Sequence, residues 1–525
     1  MRPIDLTVDG DPHLFFTDND AGIGYIQHSA IVFQPDCRRL TYLGSGDKMI
    51  SSSSSYQRLL AGKISRRRLL QLSGVGLLSS MGLPGTVMAR AEVKEGRAKG
   101  AKEKSCIYIL LCGGPSHLDT WDLKPQAPLE IRGPYKPIAT TVPGMRISEL
   151  HPRLAKLTQH FCLIRSMTHP GNISNHFDAM HHCLSGQSDA PADSPYLGSV
   201  LSKLRPSQKN VASYVWLIKC VGDPVFCAPN IGTGGSLGAA YGPLFIGSAD
   251  NHPAMPGFKP PDVFTAADSS ERMQGRRLLL DGLDQPKSAS ERLHVTNDWQ
   301  DMHRHAFELA TTSGARQPFD LEREDPKTRD RYGRHPLGQN LLLARRLVES
   351  GVGFVTVNGW TGTAPGQSGG GPPSSSWDMH GGEMGMGTAF GTGSYGMGWC
   401  LPCLDEALSA LLTDLKDRSL LESTLVVVSG EFGRTPKINT NQGIPGRQHW
   451  PACYSAILAG AGIRGGAVYG ESDKIGAAVK DKPVRPQDLA ATIYHALNVP
   501  LNSLTTKEGA ARPLTNTEPL LDLFV

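Results

Sequence analysis

The sequence predicts an α/β fold: a largely parallel, doubly wound sheet with helices on both faces. Three observations predict it. Short aliphatic and β-branched runs recur at residues 106–111, 161–167, 211–218, 352–358, 424–430 and 454–459. Stretches with apolar residues at helical spacing lie between several of them, and strands alternating with helices pair in parallel. Residues capable of metal or anion binding collect just after four of the runs, where ligands sit in such sheets.

A chain of 525 residues holds one large domain or two ordinary ones. Its 39% hydrophobic content supports a substantial core, while 59 glycines and 38 prolines predict long irregular loops. The formal net charge is +4, but 10 of the 53 basic and 7 of the 49 acidic residues precede residue 92. The remainder is close to neutral, which excludes an electrostatic footprint for nucleic acid.

Residues 65–70 read S-R-R-R-L-L and open an apolar run, dotted with Gly and Ser, that ends near Leu83. Ala89-Arg90-Ala91 then offers small residues where a signal peptidase cuts. This is the layout of an export signal, and the arginine pair resembles a twin-arginine leader read by that export machinery. The run is too short and Gly-interrupted for a permanent membrane span. Residues 49–91 are therefore expected to be the signal, 92–104 a charged linker, and the mature protein periplasmic or extracellular. Met49 becomes a candidate start, with residues 1–48 an extension outside the true reading frame start.

Nine cysteines lie beyond residue 91, an odd number spread too widely for a disulfide scaffold. Trp399-Cys400-Leu401-Pro402-Cys403 has the spacing of a thioredoxin-type site, but no strand precedes it. A local disulfide or two packed thiols is the expected reading.

Taken in order, the strand at 106–111 runs into G-G-P-S-H-L-D-T-W-D, where two glycines allow a tight turn and His117, Asp119 and Asp122 are metal-capable. Ser148 is placed to cap a helix carrying Leu150, Leu154 and Leu157. The strand at 161–167 ends in Thr168 and His169, and a helix is expected from about His176 to Gly186. A helix start there would favour an anion. His181 and His182, further along it, are expected to be satisfied helix-face histidines. Residues 220–335 are expected to form an inserted cap, with helical stretches at 271–284 and 296–312. An amphipathic helix at 335–350 closes on Gly351. The strand at 352–358 leads into a long Gly/Pro/Ser-rich loop with Trp377-Asp378-Met379-His380 in its middle. A helix at 401–420 precedes the strand at 424–430, which ends in Glu431 and Arg434. A polar loop then carries Arg447 and His449 back, and Pro486 begins a last helix to about Leu497.

In a doubly wound sheet the ends after residues 111, 167, 358 and 430 open on one edge. They offer Asp119, Asp122, His169, His176, Asp378, His380, Glu431 and His449. Carboxylates mixed with imidazoles suit zinc, manganese or iron, and two ions close together can clamp the oxygens of a displacement at phosphorus or sulfur.

The motifs G-G-P-S-H-L-D-T-W-D, R-S-M-T-H, N-H-F-D-A-M-H-H-C-L-S-G, W-D-M-H, E-F-G-R-T-P and G-R-Q-H-W occur in order over residues 104–500. They resemble the bacterial domain-of-unknown-function family 1501, placed in the alkaline phosphatase and sulfatase superfamily. That resemblance implies an alkaline phosphatase/sulfatase-like α/β fold and one or two divalent ions, zinc or manganese. It implies Asp378, His380, Glu431 and His449 as metal ligands, with Asp119 or Asp122 replacing the acidic residue after the first strand. Two departures stand out: Phe432 occupies the place where the superfamily has His beside its acidic ligand, and His176 stands where sulfatases carry their cysteine or serine nucleophile. Ser174, Thr168 and His176 are the nearby candidates for attack or proton donation, with metal-activated water the alternative. Arg434 or Arg447 is expected to neutralise the substrate. The expectation is an exported metal-dependent hydrolase of phosphate or sulfate esters, acting on an anionic ester such as a sulfated or phosphorylated saccharide. The alternative is a secreted binding or surface protein that keeps the fold without turnover.

Overall fold

A computed structural model describes residues 103–525 except 172, 174, 188–190, 208, 210, 219–233, 249–250, most of 261–312, 368–375, 383–386 and 503–512, together with residues 29–32 and 41–44. The expected leader at 49–91, the linker up to residue 102 and Ser174 lie outside the described residues. The chain divides into two units, 1–99 and 100–525. In the first, Ser29–Val32 pairs antiparallel with Thr41–Gly44.

The second unit is built on one eight-stranded sheet. Its strands are β1 (Ser105–Leu110), β2 (Phe161–Met167), β3 (Tyr214–Leu217), β4 (Leu244–Ile246), β5 (Phe354–Asn358), β6 (Thr424–Ser429), β7 (Tyr454–Ala459) and β8 (Val468–Tyr469), in spatial order β8-β2-β7-β6-β1-β5-β3-β4. Pairings are parallel except those of β7 with β6 and with β2, so seven strands share a direction and β7 opposes them. The inner strands are buried on both faces, which is why they read as unbroken apolar runs without alternation.

Helices cover both faces. They are α1 (His176–Ser185), α2 (Leu197–Leu204), α3 (Pro326–Tyr332), α4 (Pro336–Ser350), α5 (Met397–Asp417) and α6 (Pro486–Ala496). The strand pleat sorts side chains between two cores. Ile107, Ile109, Val355, Val357, Val426 and Val428 pack with α4 and α5, whereas Tyr108, Leu110, Leu425 and Val427 pack with α1, α2 and α6. Gly186 and Gly351 end α1 and α4 in the left-handed conformation, as their positions in the sequence predict. Among the described residues no helix is long and apolar enough to cross a membrane.

Two expectations change. No helix starts at Ser148, which ends a short strand (Arg146–Ser148) and is followed by two 3-10 turns. The Asp405 carboxylate on α5 takes the amides of Arg153 and Leu154 at 3.0 and 2.8 Å, so a distant side chain begins the turn later. Leu244–Ile246, within the stretch expected as an inserted cap, is instead an edge strand of the main sheet. The helical stretches expected at 271–284 and 296–312 fall mostly outside the described residues.

Candidate metal centre

The carboxyl ends of β1, β2, β5 and β6 lie on one edge of the sheet, and antiparallel β7 starts from that edge. The segment after β6 organises what gathers there. Gly433–Arg434 forms a two-residue ribbon with His449–Trp450, setting Arg434 opposite His449. Asp378 and His380 follow Trp377, which is buried and anchors their loop by donating its indole N–H to the Gly359 carbonyl at 2.8 Å. His176 is the first residue of α1, whose Asn175 cap accepts from the Asp178 amide at 2.9 Å.

Four of these side chains converge. His176, Asp378, His380 and His449 each offer a ligand atom within 4.8 Å of the others. Asp378 is the hub: its Oδ1 lies 2.7 Å from His380 Nε2 and 3.4 Å from His449 Nε2, and its Oδ2 lies 3.3 Å from His176 Nε2. The last contact is within ion-pair range but is not aligned as a hydrogen bond, leaving His176 Nε2 buried without a hydrogen-bond partner. His380 Nε2 and His449 Nε2 face each other at 2.9 Å. Buried nitrogens aimed at one carboxylate, one without a partner and two facing each other, are what a bound cation would satisfy, and three imidazoles with one carboxylate suit zinc or a neighbouring first-row metal. The side chains of Asp378 and His380 are 7% exposed, those of His176 and His449 24% and 19%. The centre therefore opens on the side of His176 and His449.

Electrostatics follow the geometry. Burial would raise the Asp378 pKa, but Arg434 and the three histidines hold it far below the usual carboxylate range. Burial alone would lower the His176 pKa, yet its contacts with Asp378 and Glu431 carry it up to about 9.

Glu431 is not among the four. It is fully buried, and its Oε1 accepts from His176 Nδ1 at 2.6 Å and from the Gly113 amide at 2.7 Å. Relative to the sequence expectation, His176 and Glu431 exchange places: the histidine joins the converging set and the carboxylate stands behind it. Phe432 fills the position noted as a departure, its ring 5.0 Å from that of His176 and 4.6 Å from that of His449.

Asp119 and Asp122 are also elsewhere. Asp119 is fully buried and paired with Arg447 at 2.7 Å, with Ser116 donating to it at 2.5 Å. Asp122 pairs with Lys124 at 3.0 Å, lies 3.6 Å from Arg165 and accepts from Ser472.

The two arginines expected to face substrate serve the scaffold. Arg434 is fully buried and donates to the carbonyls of Gly113, Gly114, Trp377 and Arg447 and to Asp378 Oδ1 at 2.5 Å. Arg447 holds Asp119 and the carbonyls of Ile131, Thr435 and Pro436.

His169 lies beneath the centre, its Nε2 donating to the Glu431 carbonyl at 2.5 Å, with burial pushing its pKa down to about 4. His181 binds the Pro191 carbonyl through Nε2 at 2.8 Å, while its Nδ1 is buried without a hydrogen-bond partner, so it is only half satisfied. Cys400 and Cys403 are free, buried thiols packed within α5, and among the described residues no strand immediately precedes them. One further contact had no signal in the sequence beyond adjacency: Gln448 Oε1 lies 2.5 Å from His380 Nδ1.

The family model described as protein of unknown function (DUF1501) matches residues 103–524. The chain belongs to this family. No curated protein matches the DUF1501 chain. Among solved structures it is similar to Ps i-CgsB, with 11% identity, 76% of this chain and 73% of that chain covered, and a TM-score of 0.36. It is similar to the lipoteichoic acid synthase LtaP from Listeria monocytogenes, at 12% identity, 78% and 75% coverage and a TM-score of 0.32. It is also similar to a protein in the alkaline phosphatase superfamily from Vibrio parahaemolyticus, at 13% identity, 76% and 67% coverage and a TM-score of 0.32.

Proposed function

We propose that this DUF1501 protein is an exported, metal-dependent hydrolase of phosphate or sulfate esters. The observation that carries the reading is the convergence of His176, His380 and His449 on Asp378 at the carboxyl edge of the sheet. These four residues would hold one divalent ion, zinc or manganese. When bound, the ion supplies positive charge against the non-bridging oxygens of an anionic ester. The rest falls to the chain. His176 stands at the first position of α1, where the positive end of the helix dipole favours an anion. Asp378, kept ionised by buried Arg434, holds the histidines in one orientation. His176 and His449 border the open side, where a substrate such as a sulfated or phosphorylated saccharide would enter.

The test is metal content of the purified protein, followed by a screen of aryl phosphates, phosphate diesters and sulfates. About one metal ion per chain and turnover of one ester class is the expected result. Less than about one tenth of an ion per chain after reconstitution would end the enzyme reading. Export is tested by sequencing the N-terminus of the mature protein, which should begin just after Ala91; retention of residues 49–91 would remove that part.

The second reading is a secreted binding protein without turnover. Its support is that Arg434 and Arg447 are consumed by the scaffold, and that Cys183 is buried, with its thiol pushed up to about 12. Calorimetric binding of a sulfated saccharide by a metal-loaded protein that hydrolyses none of the esters would favour it.

A further inference from the structure

We propose that Glu431 and Gln448 are positioning residues that commit His176 and His380 to hold a metal through Nε2. The inference rests on the metal reading above and adds an outer shell to it. An imidazole ligates through one nitrogen, and the partner of the other decides which one. Glu431 Oε1 accepts a hydrogen bond from His176 Nδ1 at 2.6 Å, and Gln448 Oε1 accepts one from His380 Nδ1 at 2.5 Å. In both rings Nε2 is the atom turned toward Asp378.

Both acceptors are braced. The Gly113 amide holds Glu431 Oε1 from the end of β1 at 2.7 Å. The Gln448 backbone is tied to Thr435 by a pair of bonds, its amide to Oγ1 at 3.0 Å and its carbonyl to the Thr435 amide at 2.9 Å. The Glu431 acceptor oxygen and the backbone that carries the Gln448 acceptor are thereby held in place. Phe432 packs against both the His176 and His449 rings, which lie 4.3 Å apart, and restricts their planes as well. The motif E-F-G-R thus orients three of the converging side chains: Glu431 acts on His176, Phe432 on His176 and His449, and Arg434 on Asp378, which it contacts at 2.5 Å.

The test measures Zn²⁺ affinity by chelator competition for the wild-type chain and for Glu431→Ala, Glu431→Gln, Gln448→Leu and Gln448→Glu. It is paired with ¹⁵N NMR of the histidine rings in the zinc-loaded protein. Glu431→Ala and Gln448→Leu should each weaken binding by roughly 10–100-fold. The two variants that keep an acceptor oxygen should stay close to wild type. The His176 and His380 signals should show a protonated Nδ1 and a metal-bound Nε2, which a merely structural role would not require. If Glu431→Ala loses its fold, Gln448→Leu decides, since Gln448 is only half-buried. Wild-type affinity in the folded Ala and Leu variants, or ligation through Nδ1, would overturn the proposal while leaving the metal centre standing. A wild-type chain that binds no Zn²⁺ would overturn the metal reading and this inference with it.

Discussion

His380 Nε2 and His449 Nε2 face each other across 2.9 Å, with Asp378 Oδ1 2.7 Å from the first and 3.4 Å from the second. Without a cation, one nitrogen of the facing pair must carry a proton and the other must accept it, so this arrangement is tied to protonation until a metal replaces the proton. Replacing His449 or Asp378 with Ala should each reduce bound zinc from about one ion to less than about a tenth per chain. Inductively coupled plasma mass spectrometry after reconstitution checks this. Retention of a full ion by both variants would mean that the centre lies elsewhere.

Arg434 is the interior charge on which Asp378 depends. Both side chains are buried, and the guanidinium also holds carbonyls at the end of β1 and in the Asp378 loop. Removing one partner of such a pair leaves an uncompensated buried charge, at a cost of about 3–5 kcal/mol. Arg434→Met should lose stability of that order in urea unfolding of the metal-free protein. A loss below about 1 kcal/mol would return Arg434 to a substrate-facing role.

The fold was legible because each inner strand is short, aliphatic and buried on both faces, and because Gly186, Gly351 and Pro486 mark helix ends with residues suited to that task. The rule that residues following parallel strands share an edge gathered eight candidates, Asp378, His380 and His449 among them, and the family resemblance singled these three out together with Glu431. The division of labour between His176 and Glu431 was not legible. Both sit at strand or helix ends, and no sequence signal shows that one Glu431 oxygen is shared between the Gly113 amide and His176 Nδ1. The role of Arg447 was hidden likewise, since its partner Asp119 lies 328 positions away. Periodicity also missed the Asp405 carboxylate that forestalls a helix after Ser148.

Gly114 is the point where the turn after β1 meets the E-F-G-R segment. Its φ is +74°, and a Cβ there would lie 2.6 Å from the Phe432 carbonyl oxygen and 2.8 Å from Phe432 Cδ2. Gly114→Ala should therefore displace the ring that packs on His176 and His449, weakening zinc binding as well as stability. Gly144→Ala is the control: its φ is +84°, but nothing lies within 4 Å of the added carbon. That variant should show only the backbone cost of about 1–2 kcal/mol, with unchanged zinc affinity. Equal zinc affinity in the two variants would separate Phe432 from the centre.

His151 predicts an acid sensitivity that has nothing to do with metal. It is fully buried, stacked on Trp121 at 6.2 Å, and neither ring nitrogen has a hydrogen-bond partner. Burial pushes its pKa down to about 3 from an ordinary value of 6.5. As the pH falls below 6.5 the unfolded chain takes up this proton while the folded chain does not, so the stability present above 6.5 drains away toward pH 3. The loss from this residue reaches up to about 3 kcal/mol by pH 4. His151→Phe keeps an aromatic ring against Trp121 and removes two unpartnered nitrogens. The difference in unfolding free energy between variant and wild type, measured in urea from pH 7 to pH 4, should grow steadily in favour of Phe as the pH falls. A difference that does not change with pH would show that His151 takes up its proton as readily in the folded protein as in the unfolded chain.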